Sequence, residues 1–327
     1  MNGLLKRGFF LLSIDTELAW GGIHNGAFRR HRWMHEGTRD VIRRLIQLVE
    51  RYEIRATWAV VGHLFLEKCR PVNGVKHPEI MRPSYRWFSG DWFKNDPSTD
   101  WITDPLWYGP DLVERILRCH TPQEIGCHGF SHMIIGDPGC NRECFASELR
   151  ASQQAAKSWG ITLKSFVFPR NAIAHLDVLA ANGFSAFRGF TPAAWEAFLP
   201  TPVSNAMRVL LPNCRVTDQP RLRHGMWELP GTTFYLHRDG RARLVPMSLR
   251  VHRATLGIRH AVKEQSISHL WFHCFNLASD EDRLLEGLGA ILKRVAQQRE
   301  AGLLMNLTMG ELAQHLNTLQ NERAAVA

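Results

Sequence analysis

Short apolar runs alternate with longer amphipathic segments from the start of the chain. The first apolar run, residues 8–14, is hydrophobic at nearly every position and ends in the polar Asp15-Thr16-Glu17. Such a run is typical of a strand buried on both faces in a parallel sheet. Residues 38–50 then place apolar side chains at helical spacing, with Thr38 as a suitable N-cap. A second apolar run, residues 56–61, predicts the next strand.

The same rhythm continues through the middle of the chain and returns near its end. It predicts helices at 111–118, 143–158, 176–182 and 284–295, and strands at 124–127, 165–168, 186–188 and 269–272. Strands that alternate with helices indicate an α/β fold built on a parallel, helix-wrapped sheet. The number of units favours a barrel of about seven or eight.

Two stretches interrupt this rhythm, at about residues 68–108 and 190–245. Both are rich in Trp, Pro and Gly, and the second includes Trp195. Loops of this length in a compact domain usually form lids or binding loops, so both stretches are predicted insertions. Because no repeat or linker separates the apolar runs, we expect one domain over residues 1–327.

Composition narrows the class of protein. The chain has 327 residues, 45% hydrophobic and 22% charged, as expected of a globular protein with a sizeable core. Its net charge is +9, but Lys and Arg are interleaved with Asp and Glu, and no nucleic-acid-binding motif is present. We therefore predict no nucleic-acid partner, while an anionic substrate and peripheral contact with an acidic membrane surface stay open.

Cysteine usage and the N-terminus bear on location. The seven cysteines contain no CxxC pair, which fits reduced thiols better than a disulfide framework. The first apolar run continues into Asp15 without the small-residue cleavage site of a signal peptide, and no run of about twenty apolar residues occurs. The sequence thus predicts a cytoplasmic protein and leaves its oligomeric state open.

The strongest local signal is the segment Glu124-Ile-Gly-Cys-His128-Gly-Phe-Ser-His132. Histidines one helical turn apart can reach one metal ion, although such spacing also arises by chance in a chain with 16 histidines. Position strengthens the signal, because both histidines, like Asp15 and Glu17, follow a predicted strand. The carboxyl ends of strands are where α/β enzymes assemble active sites.

Two histidines and one carboxylate leave coordination positions for water and substrate, as hydrolytic zinc requires. Asp15 and Glu17 project to the same side of an extended strand, so one can bind the metal while the other acts as a base. The structural alternative is an acidic pair that caps the following turn. His273, at the end of a late strand, is a candidate general acid or a hydrogen-bonded rim residue. Arg170 is a candidate to orient the base carboxylate or to form a surface ion pair.

With these residues assembled, the chain resembles the polysaccharide deacetylase family, the nodulation-protein-B homology group also called carbohydrate esterase family four. Four segments match the family motifs in order: Ser13-Ile-Asp-Thr-Glu17, His128-Gly-Phe-Ser-His132, Phe168-Pro-Arg-Asn171 and Leu270-Trp-Phe-His273. The resemblance implies a distorted (β/α) barrel of about seven strands, zinc or a similar divalent ion, and hydrolysis of acetyl groups from acetylated sugars.

The resemblance also implies roles for the site residues. It makes Asp15 the base, His128 and His132 metal ligands, and His273 the general acid. The family motif has two adjacent aspartates, whereas Thr16 follows Asp15 here, so the carboxylate ligand is either Glu17 or Asp15 itself. Arg170 directly follows proline, where many members have Arg-x-Pro, and this leaves its role open.

In these departures, in its insertions and in the missing secretion signal, the chain resembles the members of the family that act inside the cell on sugar intermediates. The predicted substrate is an N-acetylated sugar or glycan precursor of a surface-polysaccharide pathway, and a nucleotide or lipid-phosphate link would suit the positive charge. One alternative is hydrolysis of a small non-sugar amide on the same scaffold. A second is a catalytically silent carbohydrate-binding relative, and an iron oxygenase ranks far lower.

Overall fold

The computed structural model describes residues 5–23, 26–190 and 216–326. Its strands form one sheet, in which β1 is central and buried at every position. The strands are β1 (Gly8–Thr16), β2 (Thr57–Val60), β3 (Glu124–Cys127), β4 (Ser165–Phe166), β5 (Ala186–Gly189), β6 (Arg221–Arg223), β7 (Met226–Pro230), β8 (Thr233–Phe234), β9 (Ile267–His273) and β10 (Leu304–Asn306).

The sheet order is β6-β7-β5-β4-β3-β2-β1-β9-β8, with β10 also paired to β1. Every pairing except β6 with β7 is parallel, and the register of β1 with β9 places Asp15 opposite His273. The carboxyl ends of the parallel strands therefore share one rim. Both residues lie on it, as the sequence predicts.

The segment that runs from β7 into β8 joins the two ends of the curled sheet. β7 pairs with β5, Gly231 N then donates to Gly189 O at 2.8 Å, Thr232 N donates to His269 O at 3.1 Å, and β8 pairs with β9. If this segment is counted as one position, the ring comprises β1, β2, β3, β4, β5, β7–β8 and β9. The predicted distorted (β/α) barrel is confirmed.

In the described part of the chain, helices precede, connect or follow the strands of the ring. They are Ala27–Arg30, Arg32–Glu36, Thr38–Arg51, Pro110–Leu117, Arg142–Lys157, Leu176–Ala181, Met247–Glu264, Cys274–Leu277, Glu281–Glu300 and Met309–Val326. Helix Met247–Glu264 was not predicted, because its buried face includes Arg250 and Arg253, and these charged residues interrupt the apolar pattern in the sequence. Among the helices of the described residues, none combines the length and apolar character needed to span a bilayer.

The interior of the barrel changes from apolar to polar along β1. Phe9 and Leu11 pack with residues of helix Met309–Val326 in one buried cluster, while the alternate residues Phe10 and Leu12 belong to the larger cluster outside the ring. The same alternation turns Ser13 and Asp15 inward. The helix thus closes the amino end of the barrel, and the polar groups gather at the carboxyl end.

The two predicted insertions differ. The first has little regular structure beyond a 3-10 turn at Trp92–Asn95, and its Trp92 and Trp107 side chains are buried. Of the second, residues 191–215, including Trp195, lie outside the described residues. Its remainder contains β6, β7 and β8, so the stretch predicted as an insertion includes a strand of the barrel. These strands are short, and Gly231 lies between β7 and β8, so the sequence shows no strong apolar run here.

Acidification is expected to destabilise the fold through His269, which is fully buried and lies 2.9 Å from Ser13 Oγ. Burial, together with the Arg188 guanidinium, lowers the pKa of His269 to about 3. Its contribution to stability is present above the unfolded pKa of about 6.5 and is lost as the pH falls toward the folded pKa. Between pH ~6.5 and pH ~4 the loss in unfolding free energy is about 3 kcal/mol.

Urea unfolding at several pH values in this window measures the effect. We expect His269→Gln to remove this part of the pH dependence, whereas His120→Gln, at an exposed position, leaves it unchanged. Equal pH slopes for the wild type and His269→Gln would contradict the prediction.

Candidate metal centre

Three predicted ligands meet at the carboxyl rim of the barrel. Glu17 Oε2 lies 2.9 Å from His132 Nε2 and 3.2 Å from His128 Nε2. All three side chains are buried, and their donor atoms lie within 4.8 Å of one another. The carboxylate in contact with both imidazoles is therefore that of Glu17.

The loop after β3 that carries the two histidines is held by a buried carboxylate. Glu148, on helix Arg142–Lys157, accepts hydrogen bonds from Phe130 N at 2.9 Å, Ser131 N at 3.0 Å and Ser131 Oγ at 2.6 Å. His132 has a positive φ of 61°, a backbone conformation that a non-glycine residue keeps only when its surroundings impose it. Glu148 thus fixes the backbone that aims both imidazoles.

We expect Glu148→Ala to lower the unfolding free energy by about 3 kcal/mol, because two backbone N–H groups and a hydroxyl lose their buried acceptor. We expect the affinity of the Glu17–His128–His132 group for added Zn²⁺ to fall by about 10- to 100-fold, since the histidine loop is no longer held. Denaturant unfolding and metal titration measure the two effects. Gln154→Ala, at an exposed position of the same helix, is the control. A loss below about 1 kcal/mol would contradict this role.

The donor chemistry of the site fits a divalent cation. His128 Nδ1 lies 2.8 Å from Val167 O, so an N–H there donates to that carbonyl and leaves Nε2, 3.2 Å from Glu17 Oε2, as the atom that would bind an ion. Burial would raise the pKa of Glu17, but His132 and His273 hold it well below its usual value. Two imidazole nitrogens and an ionised carboxylate form the set that hydrolytic zinc uses.

Asp15 is held by an arginine. Arg188, on β5, donates to Asp15 Oδ1 at 2.6 Å and to Oδ2 at 2.8 Å, and both side chains are about 2% exposed. The guanidinium also lies over the ring of Trp271, 4.2 Å from its centroid, and donates to Asn171 Oδ1 at 3.2 Å. Burial raises the pKa of Asp15, but Arg188 outweighs it and the pKa is lowered. Asp15 is thus ionised at neutral pH and fixed in orientation.

His273 completes the group at the mouth of the barrel. Its Nε2 lies 3.6 Å from Asp15 Oδ2 and 3.8 Å from Glu17 Oε1, and its Nδ1 lies 3.1 Å from Asn276 Nδ2. At 25% exposure of the side chain it is more accessible than Asp15 or Glu17. The structure therefore brings together all five residues that the sequence predicts at the centre.

No protein-family model matches the sequence, and the search of curated proteins gave no match. Solved structures do match. A protein from Mycobacterium smegmatis named as a polysaccharide deacetylase superposes with a TM-score of 0.63 at 13% identity, over 95% of this chain and 90% of that one. The chain has the fold of the polysaccharide deacetylase family. The predicted resemblance is thus confirmed at the level of fold.

Two other structures of this polysaccharide deacetylase group match more distantly. One is a family 4 carbohydrate esterase from Streptomyces lividans in complex with acetate, with a TM-score of 0.42 at 13% identity, over 91% of each chain. The other is a family 4 pseudoenzyme from Bacillus anthracis, with a TM-score of 0.45 at 11% identity, over 94% of this chain and 66% of that one. Because a fold does not determine activity, function must be argued from the site.

The arginine of the site is not the one predicted from the polysaccharide deacetylase motif. Arg170 is exposed, with a φ of 56°, and Arg188 holds the Asp15 carboxylate instead. The motif segment still contributes, through Asn171 to Arg188. Arg188 ends the strand predicted at residues 186–188, but the sequence pattern indicates no role for it. An arginine that ends a buried strand at the rim was the available signal.

Proposed function

We propose that the protein is a metal-dependent hydrolase that removes an acetyl group from an N-acetylated sugar or glycan precursor. The observation that carries this proposal is the buried Glu17–His128–His132 donor set beside an ionised Asp15 on the same rim. A divalent ion such as zinc, held by these three residues, would polarise the acyl carbonyl and make its bound water acidic.

The remaining residues supply proton transfer. Asp15 accepts the proton of the attacking water, because each of its carboxylate oxygens has a lone pair beyond the one that Arg188 uses. Arg188 keeps that carboxylate ionised and oriented. His273, partly exposed at the mouth, donates a proton to the departing amine nitrogen, which is a poor leaving group until it is protonated.

Acetate release tests the proposal. The assay compares free, nucleotide-linked and polymeric N-acetyl sugars with Zn²⁺, Co²⁺ or a chelator, and the wild type with Asp15→Asn. Arg170→Ala is the matched control, because this exposed arginine lies outside the group around Asp15. We expect release that requires the metal and Asp15 and that Arg170→Ala retains.

Other results would redirect the assignment. Release from small ureides or formamides alone would favour the non-sugar amidase. A protein that binds the metal and a glycan but hydrolyses neither class would favour the silent binding relative. A protein that binds no metal would refute the proposed chemistry.

A further inference from the structure

A second cluster of metal-binding side chains lies at the end of β2 and in the first insertion. It comprises His63, Cys69, His77 and Asp96, whose donor atoms all lie within 4.8 Å of one another, and it shares no residue with the Glu17 site. The donors converge on one oxygen. Asp96 Oδ2 lies 3.0 Å from His77 Nε2, 3.6 Å from His63 Nε2 and 3.6 Å from Cys69 Sγ.

Both histidines are held from behind by oxygen atoms. His63 Nδ1 lies 3.0 Å from the carbonyl oxygen of Trp107, and His77 Nδ1 lies 3.5 Å from Glu79 Oε1. An Nδ1–H that points at an oxygen leaves the lone pair on Nε2, which is the usual arrangement around a metal-bound histidine. Both Nε2 atoms face Asp96, and His77 Nε2 lies within hydrogen-bond distance of Asp96 Oδ2.

The other two members of the cluster have outer partners as well. Ser98 N donates to Asp96 Oδ1 at 2.9 Å, which leaves Oδ2 directed at the histidines. Tyr108 Oη accepts from Thr99 N at 2.9 Å and lies 3.1 Å from Cys69 Sγ, so its O–H can donate to the sulfur. Each group thus has an outer partner and an inward-facing donor atom, as ligands of a bound ion do.

Without a cation one inward-facing nitrogen of this cluster has no partner. His63 is fully buried, and its Nε2 has no hydrogen-bond partner among the described residues. A buried imidazole nitrogen that has no hydrogen-bond partner is costly. An ion placed among the four donors would remove this cost.

We propose that His63, Cys69, His77 and Asp96 bind a second metal ion, zinc, in a structural site. Four protein ligands complete a tetrahedral shell and leave no position for a substrate, in contrast to the three ligands at Glu17. A thiolate with imidazole favours zinc over magnesium or calcium. The ion joins the end of β2 to Asp96, deep in the insertion, and so orders a long segment with little regular structure.

Cobalt substitution tests the second site separately from the first, since no cysteine belongs to the Glu17 set. We expect two Co²⁺ per wild-type chain and a sulfur-to-cobalt charge-transfer band in the near ultraviolet. The double variant His128→Ala/His132→Ala should keep one Co²⁺ and the full band. Cys69→Ser should lose the band, whereas Cys119→Ser, at another partly buried cysteine, should keep it.

The double variant makes the test decisive, because only the second site remains in it. If it binds no Co²⁺, or binds it without the band, the site is refuted, whether or not Cys69→Ser folds. A band that survives Cys69→Ser also refutes it. None of these readouts depends on acetate release, so failure of the proposed activity is distinguishable from failure of the second site.

Discussion

Replacement of His128 with alanine is expected to lower kcat/KM for acetate release by about 10³-fold or more. The variant keeps only Glu17 and His132 as donors, and this pair cannot hold a divalent ion at the affinity of three ligands. Steady-state kinetics and metal content per chain, measured by mass spectrometry, should fall together.

The control for this prediction is His120→Ala, which changes an exposed histidine outside the Glu17–His128–His132 group. It should retain activity and metal content. A His128→Ala protein that lost metal but kept its activity would show that the reaction does not use this centre.

Replacement of Arg188 with methionine is expected to reduce the unfolding free energy by about 3 to 5 kcal/mol. The loss arises because the Asp15 carboxylate remains buried without its partner. Removal of both charges, in Arg188→Met/Asp15→Asn, should restore much of the stability, since no uncompensated charge is left. Denaturant unfolding of the wild type, the two single variants and the double variant measures this coupling.

The same substitution is expected to move the pH profile of activity. Arg188 lowers the pKa of Asp15, so its removal raises that pKa. Asp15, the proposed base, is then protonated at higher pH, and the acid limb of the kcat/KM profile should shift to higher pH. Arg188→Lys keeps the charge but not the paired hydrogen bonds, so it should give a smaller shift. An unshifted profile in Arg188→Met would refute a positioning role for this arginine.

Sequence patterns identified the parts of the fold with strong local periodicity. The strand that carries Asp15 lies where the continuous apolar run of residues 8–14 predicts it, because this run is buried on both faces, and β3 lies at the predicted residues 124–127. His128 and His132 were recognisable since they are close in sequence and follow a strand. Glu17 and His273 were recognisable because they lie at the ends of predicted strands, and the carboxyl ends of parallel strands share one rim.

Long-range contacts between residues with no local pattern escaped prediction. Arg188 reaches Asp15 across the barrel, and a single arginine at a strand end does not show which carboxylate it binds. The second cluster draws Cys69, His77 and Asp96 from an irregular segment, in which no periodicity shows that they meet. β7 and β8 are short strands that pair with two different neighbours, β5 and β9, and neither strand forms a long apolar run in the sequence.

The pairing of Asp15 with His273 has a consequence for biosynthesis. These neighbours on adjacent strands are far apart in the sequence, and the β7–β8 segment that closes the ring is translated between them. A nascent chain on the ribosome therefore carries Asp15, His128 and His132 long before it carries His273. Contacts with such wide sequence separation form late and slowly. The proposed centre can therefore be complete only after the whole segment from Asp15 to His273 has been synthesised.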